Sequence, residues 1–174
     1  YSAKKIRFRV LISENAPGYS GRQMAERLKP EGVRLEVIPD ASVFARMSQV
    51  NKVILGAHSV FADGGFIAPA GSYALCLAAK HFSVPVIVCA AFYKLTPKFI
   101  SASDQEAFNV LESPRHVVQY REGDLVSGAE IYNPIFDFVP PHLVTLYITH
   151  TTGNAPSYVY RLLTELYHPD DTEM

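Results

Sequence analysis

The chain has 174 residues, 48% of them apolar and 19% charged, with a formal net charge of -1. That length suits one compact domain, and the composition excludes a disordered, collagen-like or coiled-coil chain. The near-neutral charge gives no basic excess for a nucleic-acid backbone, so no nucleic-acid partner is expected. From the amino end, Ile6–Ser13 reads as a strand with Lys5, Arg7 and Arg9 alternating onto one face, and residues 14–18 end it. A helix follows from Ser20, with Met24, Ala25 and Leu28 on one face and a stop at Pro30 and Gly32. Val33–Ile38 is a second strand, after which Asp40 caps a helix whose Val43, Phe44, Met47 and Val50 form an apolar stripe. Lys52–Gly56 is a third strand, Ser72–Phe82 a helix with Leu75, Ala78, Ala79 and Phe82 on one face, and Pro85–Ala90 a fourth strand, apolar on both faces. Beyond Lys94 a polar, acidic stretch precedes Asn133–Val139, Val144–Thr149 and a last helix from Pro156 to about Leu166.

Apolar strands separated by helices indicate an α/β fold, doubly wound and Rossmann-like, with a mainly parallel sheet covered by helices on both faces. Residues 1–174 read as a single domain. In such a fold ligands bind beyond the carboxyl ends of the strands, which directs attention to residues 14–20, 40–42, 56–71 and 90–97. Cys76 and Cys89, each in an apolar run, read as buried free thiols in a reducing compartment. No apolar run approaches the roughly 20 residues needed to span a bilayer. With no secretory signal either, no membrane contact and a cytoplasmic location are expected. The opening on Tyr1, without an initiator methionine, reads as a fragment of a longer protein.

No dinucleotide fingerprint, Walker motif, zinc-protease helix or nucleophile elbow occurs, and the six histidines lack ligand spacing. Catalytic residues, metal ligands and cofactors are therefore expected to be none. Gly18, Gly21 and Asp40 are explained by a turn and a cap as well as by a nucleotide site. Gly64, Gly65, Gly71 and Ser72, ahead of a helix, fit either a phosphate cradle of backbone N–H groups or a plain turn and helix cap. Charge is uneven along the chain: residues 1–29 carry seven basic and two acidic side chains, residues 101–137 two basic and seven acidic. Such a split suits complementary faces for a protein partner.

Turn and helix chemistry does not by itself account for residues 133–141 (Asn-Pro-Ile-Phe-Asp-Phe-Val-Pro-Pro), 153–161 (Gly-Asn-Ala-Pro-Ser-Tyr-Val-Tyr-Arg) or 167–171 (Tyr-His-Pro-Asp-Asp). With residues 50–56 and 77–82 they closely resemble the beta-subunit branch of the translation initiation factor 2B family, over essentially the whole chain and within its Rossmann-like C-terminal domain. The resemblance implies that an N-terminal helical domain belongs to the full-length protein. It implies a non-catalytic regulatory subunit of the exchange factor that reloads initiation factor 2 with GTP, mediating assembly and sensing phosphorylated substrate. The implied partners are sister alpha and delta subunits, the catalytic subunits and initiation factor 2 itself.

The same family holds sugar-phosphate isomerases, among them methylthioribose-1-phosphate isomerase, and an isomerase or sugar-phosphate-binding domain is the alternative function. Where those enzymes read Gly-Ala-Asp-Arg, this chain has Gly56-Ala57-His58-Ser59, so the catalytic Asp is replaced by His58. Ala68-Pro69 stands for their Asn-Lys, and Ala16-Pro17 after Glu14 for their Arg-Pro; their catalytic Cys would precede Tyr1. The loss of a carboxylate and two cations implies a pseudo-enzyme with a vestigial pocket at Glu14, Gly56, His58, Gly64, Gly65, Gly71, Ser72 and Asp137. Interface residues are expected in the Asn133, Pro134, Phe136 loop and at Asn154, Tyr158, Tyr160 and Arg161, which include the aromatic and guanidinium groups enriched at interface hot spots.

Overall fold

A computed structural model describes residues 8–100 and 109–168, so Lys5, Arg7 and the first residues of the expected first strand lie outside the described residues. The chain divides into two compact units, the first holding residues 8–46 and 112–133 and the second residues 47–111 and 134–168 of the described set.

In the first unit, β1 (Arg9–Ser13) pairs in parallel with β2 (Arg34–Ile38), Arg9 opposite Arg34 and Ser13 opposite Ile38. Two like charges opposite each other are offset by Glu36, which lies 3.4 Å from Arg9 and 2.5 Å from Arg46. Helix α1 (Ser20–Leu28) crosses back to β2 against β1. Its close approach depends on Gly21, where an added Cβ would lie 1.8 Å from the Ser13 carbonyl oxygen. Gly32, at φ 68°, closes the helix exit in the left-handed region that favours glycine. Met24 was expected on the buried face and is 54% exposed, because Gly21 and not Met24 sets the face that meets the strands. The stripe beyond Asp40 divides too: a tight turn over Asp40–Ser42 leads into the short helix α2 (Val43–Met47), which buries Met47 and leaves Phe44 exposed.

The second unit carries two sheets. β3 (Val53–Gly56), β6 (Val86–Cys89) and β8 (Leu146–Ile148) run parallel, in the order β3-β6-β8, and β9 (Gly153–Asn154) adds an antiparallel edge. β4 (Ser59–Val60), β5 (Phe66–Pro69) and β7 (Phe136–Val139) form a separate antiparallel sheet. Parallel pairing is thus found for β1 with β2 and for β3, β6 and β8, but in two sheets rather than the single one expected, and Phe136–Val139 pairs antiparallel. Within residues 56–71, read as a ligand loop, Ser59–Pro69 instead make a hairpin. Its turn is specified locally, since Asp63-Gly64-Gly65 sits between two apolar pairs. The Gly65 amide donates to Asp63 Oδ1 (2.8 Å) and the Gly64 amide to the Phe61 carbonyl (2.9 Å).

Helix α3 (Ser72–His81) turns Cys76, Ala78 and Ala79 inward, and α4 (Val159–Leu166) buries Val159, Leu162 and Leu163. The core gathers Phe66, Val88, Val139 and Tyr147 at 2% exposure or less. Strand alternation corrects one expectation: Val86 and Val88 are buried, whereas Cys89, one residue on, points to the other face and is exposed.

Candidate functional site

β3 and β6 run parallel, so their carboxyl ends open on one edge of the sheet, where residues 56–58 and 90–94 lie. Gly56 ends β3 with open space where a side chain would stand. The Ala57 amide donates to the Cys89 carbonyl (3.3 Å), and its carbonyl accepts from Lys94 Nζ at 2.6 Å. Lys94 is a feature that sequence reasoning passed over. Its signal was a lone cation in the loop after an apolar strand, and it places an ammonium beside the β3 exit. His58 anchors its amide on the Ile67 carbonyl (2.8 Å) and sets its ring 4.6 Å from that of Phe136. An exposed imidazole against an aromatic ring holds no carboxylate for proton abstraction at this position.

The glycines proposed as a cradle take up internal roles. At Gly64 (φ 82°) a Cβ would lie 2.6 Å from the Pro156 carbonyl oxygen, and at Gly65 one would strike the Phe138 ring at 2.7 Å. The Gly64 carbonyl accepts from the buried Tyr147 hydroxyl at 2.7 Å. These glycines let the hairpin turn pack against its neighbours. Gly71 (φ 94°) opens α3, and its amide and that of Tyr73 donate to Asp137 Oδ2 at 2.8 and 3.0 Å, with Ser72 buried between them. Asp137, Gly71 and Ser72 therefore do come together, as a carboxylate closing the positive end of a helix.

In the first unit, Glu14 accepts from Arg22 at 2.6 Å, and Arg22 lies 3.9 Å from the centre of the Tyr19 ring. That hydrogen bond, with the Glu14 charge added, raises the Arg22 pKa further above its ordinary value. Asp40 corrects the expected cap. Pro39 occupies the cap position, and the Asp40 carboxylate reaches back to the Ser13 hydroxyl and to the amides of Asn15 (2.9 Å) and Ala16 (2.6 Å). It fixes the turn after β1 and leaves those N–H groups satisfied.

Among the expected interface residues, Asn133 is buried and donates to the Ser113 carbonyl at 3.2 Å, while Pro134 bridges to Leu111. Phe136 is half-buried and its main chain is clasped by the Asn109 amide, at 2.7 and 3.0 Å. Asn154 donates to Thr152 (2.8 Å) on β9. Tyr158, Tyr160 and Arg161 lie on the outside of the last helical segment, Tyr160 57% exposed, with the Arg161 guanidinium 5.5 Å from the Tyr158 ring and 3.4 Å from Glu165. Burial, reinforced by the Asp137 charge, pushes the Cys76 thiol up to about 12, so it stays protonated. Burial likewise raises the Tyr147 hydroxyl well above its ordinary range. Among the described residues no group of three or more His, Cys, Asp or Glu could hold a metal ion, and no helix is long and apolar enough to cross a membrane.

Residues 1–156 match the model of the initiation factor 2 subunit family. The chain belongs to that family. Within the initiation factor 2 subunit family it is 44% identical over 170 residues to the translation initiation factor eIF2B subunit beta of Dictyostelium discoideum, covering 98% of this chain and 43% of that protein. It is 27% identical over 164 residues to the ribose 1,5-bisphosphate isomerase of Archaeoglobus fulgidus, covering 91% of this chain and 50% of the enzyme. The crystal structure of eIF2B beta from Chaetomium thermophilum aligns with a TM-score of 0.73 and 25% identity, over 99% of this chain and 45% of that one. The chain thus spans half or less of the length of these family members.

Proposed function

We propose that this chain is the Rossmann-like, doubly wound C-terminal domain of a non-catalytic regulatory subunit in the guanine nucleotide exchange factor for initiation factor 2. It acts through assembly with sister alpha and delta subunits and the catalytic subunits in the cytoplasm, and it helps sense phosphorylated substrate. The observation that carries the reading is the 44% identity to a beta subunit across nearly all of the chain. The chemistry agrees with it. Where the resemblance to isomerases calls for a catalytic carboxylate the chain has His58 against Phe136, and the amides of Gly71, Tyr73, Asn15 and Ala16 are taken by its own carboxylates. An isomerase would need a base and cations that positions 58, 68 and 69 do not supply.

The test has two arms. Full-length protein purified from its own cells is weighed by native mass spectrometry and its co-purifying chains are identified; sister subunits of the exchange factor are expected, and a homo-oligomer alone would overturn the reading. The reconstituted complex is then assayed for nucleotide release from initiation factor 2, with ribose and methylthioribose phosphates offered separately as isomerase substrates. Turnover of either sugar phosphate would sink the pseudo-enzyme assignment.

A further inference from the structure

A groove of about 470 Å³ lies at the opposite edge of the four-stranded sheet, lined by Lys80, Ser83, Val84, Pro85, His142, Leu143, Val144 and Thr145. Its walls are the exit of α3 and the residues that enter β6 and β8, two parallel strands, so it sits at their amino ends, away from Gly56 and His58. We propose that this groove binds a phosphomonoester carried on an apolar body.

The argument is one of donors without acceptors. Lys80 and His142 have no hydrogen-bond or ion-pair partner among the described residues, no carboxylate lines the groove, and the Ser83 hydroxyl is equally unengaged. The Thr145 hydroxyl oxygen accepts from the Val86 amide at 3.1 Å, which leaves its own proton free to donate outward. Four of the lining residues thus carry N–H or O–H donors not used by a protein acceptor, a set that suits the three terminal oxygens of a phosphate better than the two of a carboxylate. The negative end of α3 opposes an anion here, and its effect is blunted by hydrogen bonds to its carbonyls. The carbonyls of Ala78, Ala79 and Lys80 accept from the amides of Phe82, Val84 and Ser83 at 3.2, 2.8 and 3.1 Å. Ser83 reaches its place with φ 54°, a left-handed conformation costly for serine, which draws the chain tightly from the helix into Val84 and Pro85. Those two residues, with Leu143 and Val144, supply the apolar wall that an inorganic anion would not use.

The full-length protein, isotopically labelled, is titrated with phenyl phosphate, inorganic phosphate and a phosphotyrosine tripeptide while amide resonances are followed. Phenyl phosphate should shift residues 80–85 and 142–145 with millimolar affinity and bind at least several-fold more tightly than inorganic phosphate, the difference being the apolar contact. Lys80→Gln should weaken binding about tenfold, as loss of a charge-assisted donor does, and His142→Gln severalfold, as loss of a ring N–H donor does, with unchanged thermal transitions. Lys98→Gln, exposed beyond the carboxyl end of β6, should have no effect. The tripeptide binding more tightly would mark a protein side chain as the natural group, and the free aryl phosphate binding more tightly a small molecule. Shifts spread over all basic residues, or affinity that survives the double substitution, would overturn the proposal.

Discussion

Asp137 stands 66 residues from Gly71 along the chain and accepts its amide hydrogen at 2.8 Å. A second bond from Tyr73, to the same oxygen, makes one carboxylate on β7 the terminator of α3. That carboxylate ties the strand of one sheet to the helix that backs another, beside the bond from the Ala70 amide to the Ile135 carbonyl (2.8 Å). Asp137→Ala should therefore cost about 1–2 kcal/mol of stability, the usual effect of deleting a helix cap, and Asp137→Asn clearly less, since its amide oxygen can still accept. Urea denaturation measures both; an alanine variant as stable as the parent would show that water replaces the carboxylate without loss.

Glycines at four positions separate by what surrounds them. Gly21→Ala drives a methyl group to 1.8 Å from the Ser13 carbonyl oxygen, and Gly64→Ala adds a Cβ clash with Pro156 to an unfavourable φ of 82°. Each should lower stability by more than about 2 kcal/mol, in the range of steric overpacking and backbone strain together. Gly56→Ala, with open space around it, should be neutral, whereas at Gly71 the space is equally open but φ 94° leaves a conformational cost of about 1 kcal/mol. Thermal unfolding of the four variants gives the ranking directly, and a neutral Gly21→Ala would refute the packing of α1 against β1.

The two thiols should behave differently. Cys89 is exposed and should react with a maleimide in the native protein, whereas Cys76 should react only after unfolding. Burial raises the Cys76 pKa from 9.0 to about 12, so the native state holds its proton more tightly than the unfolded chain. The stability this confers is complete below pH 9 and falls as pH rises from 9 to about 12, with a limiting slope of about 1.4 kcal/mol per pH unit. Cys76→Ala should remove that contribution and leave the slope that the raised Tyr147 hydroxyl adds above pH 10, and a pH profile identical to the parent's would place its source elsewhere.

Tyr160 and Arg161 point outward from α4 while Val159, Leu162 and Leu163 point in. Alanine at either outward position should change the thermal midpoint by less than about 0.5 kcal/mol equivalent, as surface substitutions do. Co-purification with sister subunits should fall well below that of the parent protein. Equal losses of stability and association would make these residues part of the core.

Much of the fold can be read from local pattern. Val53–Gly56, Val86–Cys89 and the span of α3 follow from apolar runs and helical spacing, and all fall where periodicity puts them. The hairpin at 59–69 escaped because the rule for ligand loops in parallel sheets was applied where an Asp-Gly-Gly turn already signalled a reversal. At the candidate site, residue types were legible but partners were not. Gly71 and Ser72 announce a helix start, yet only tertiary structure supplies Asp137, and Asp40 serves a turn 24 residues before it rather than the helix it precedes. Exposure was the least legible property, because Met24 and Phe44 satisfy an apolar stripe on a helix whose close contact is made by smaller or different residues.

The reach of Asp40 back to Ser13, Asn15 and Ala16 bears on any attempt to transplant the turn after β1. Residues 14–19 include two non-glycine residues in left-handed conformation, Asn15 and Tyr19, and nothing within the turn itself supplies the carboxylate that holds its amides. A graft of this hexapeptide onto another scaffold would arrive without its counter-anion and would relax. To keep its shape, the recipient must present an acidic residue at the end of the adjacent parallel strand, so the portable unit is the whole β1-α1-β2 module with its terminal aspartate.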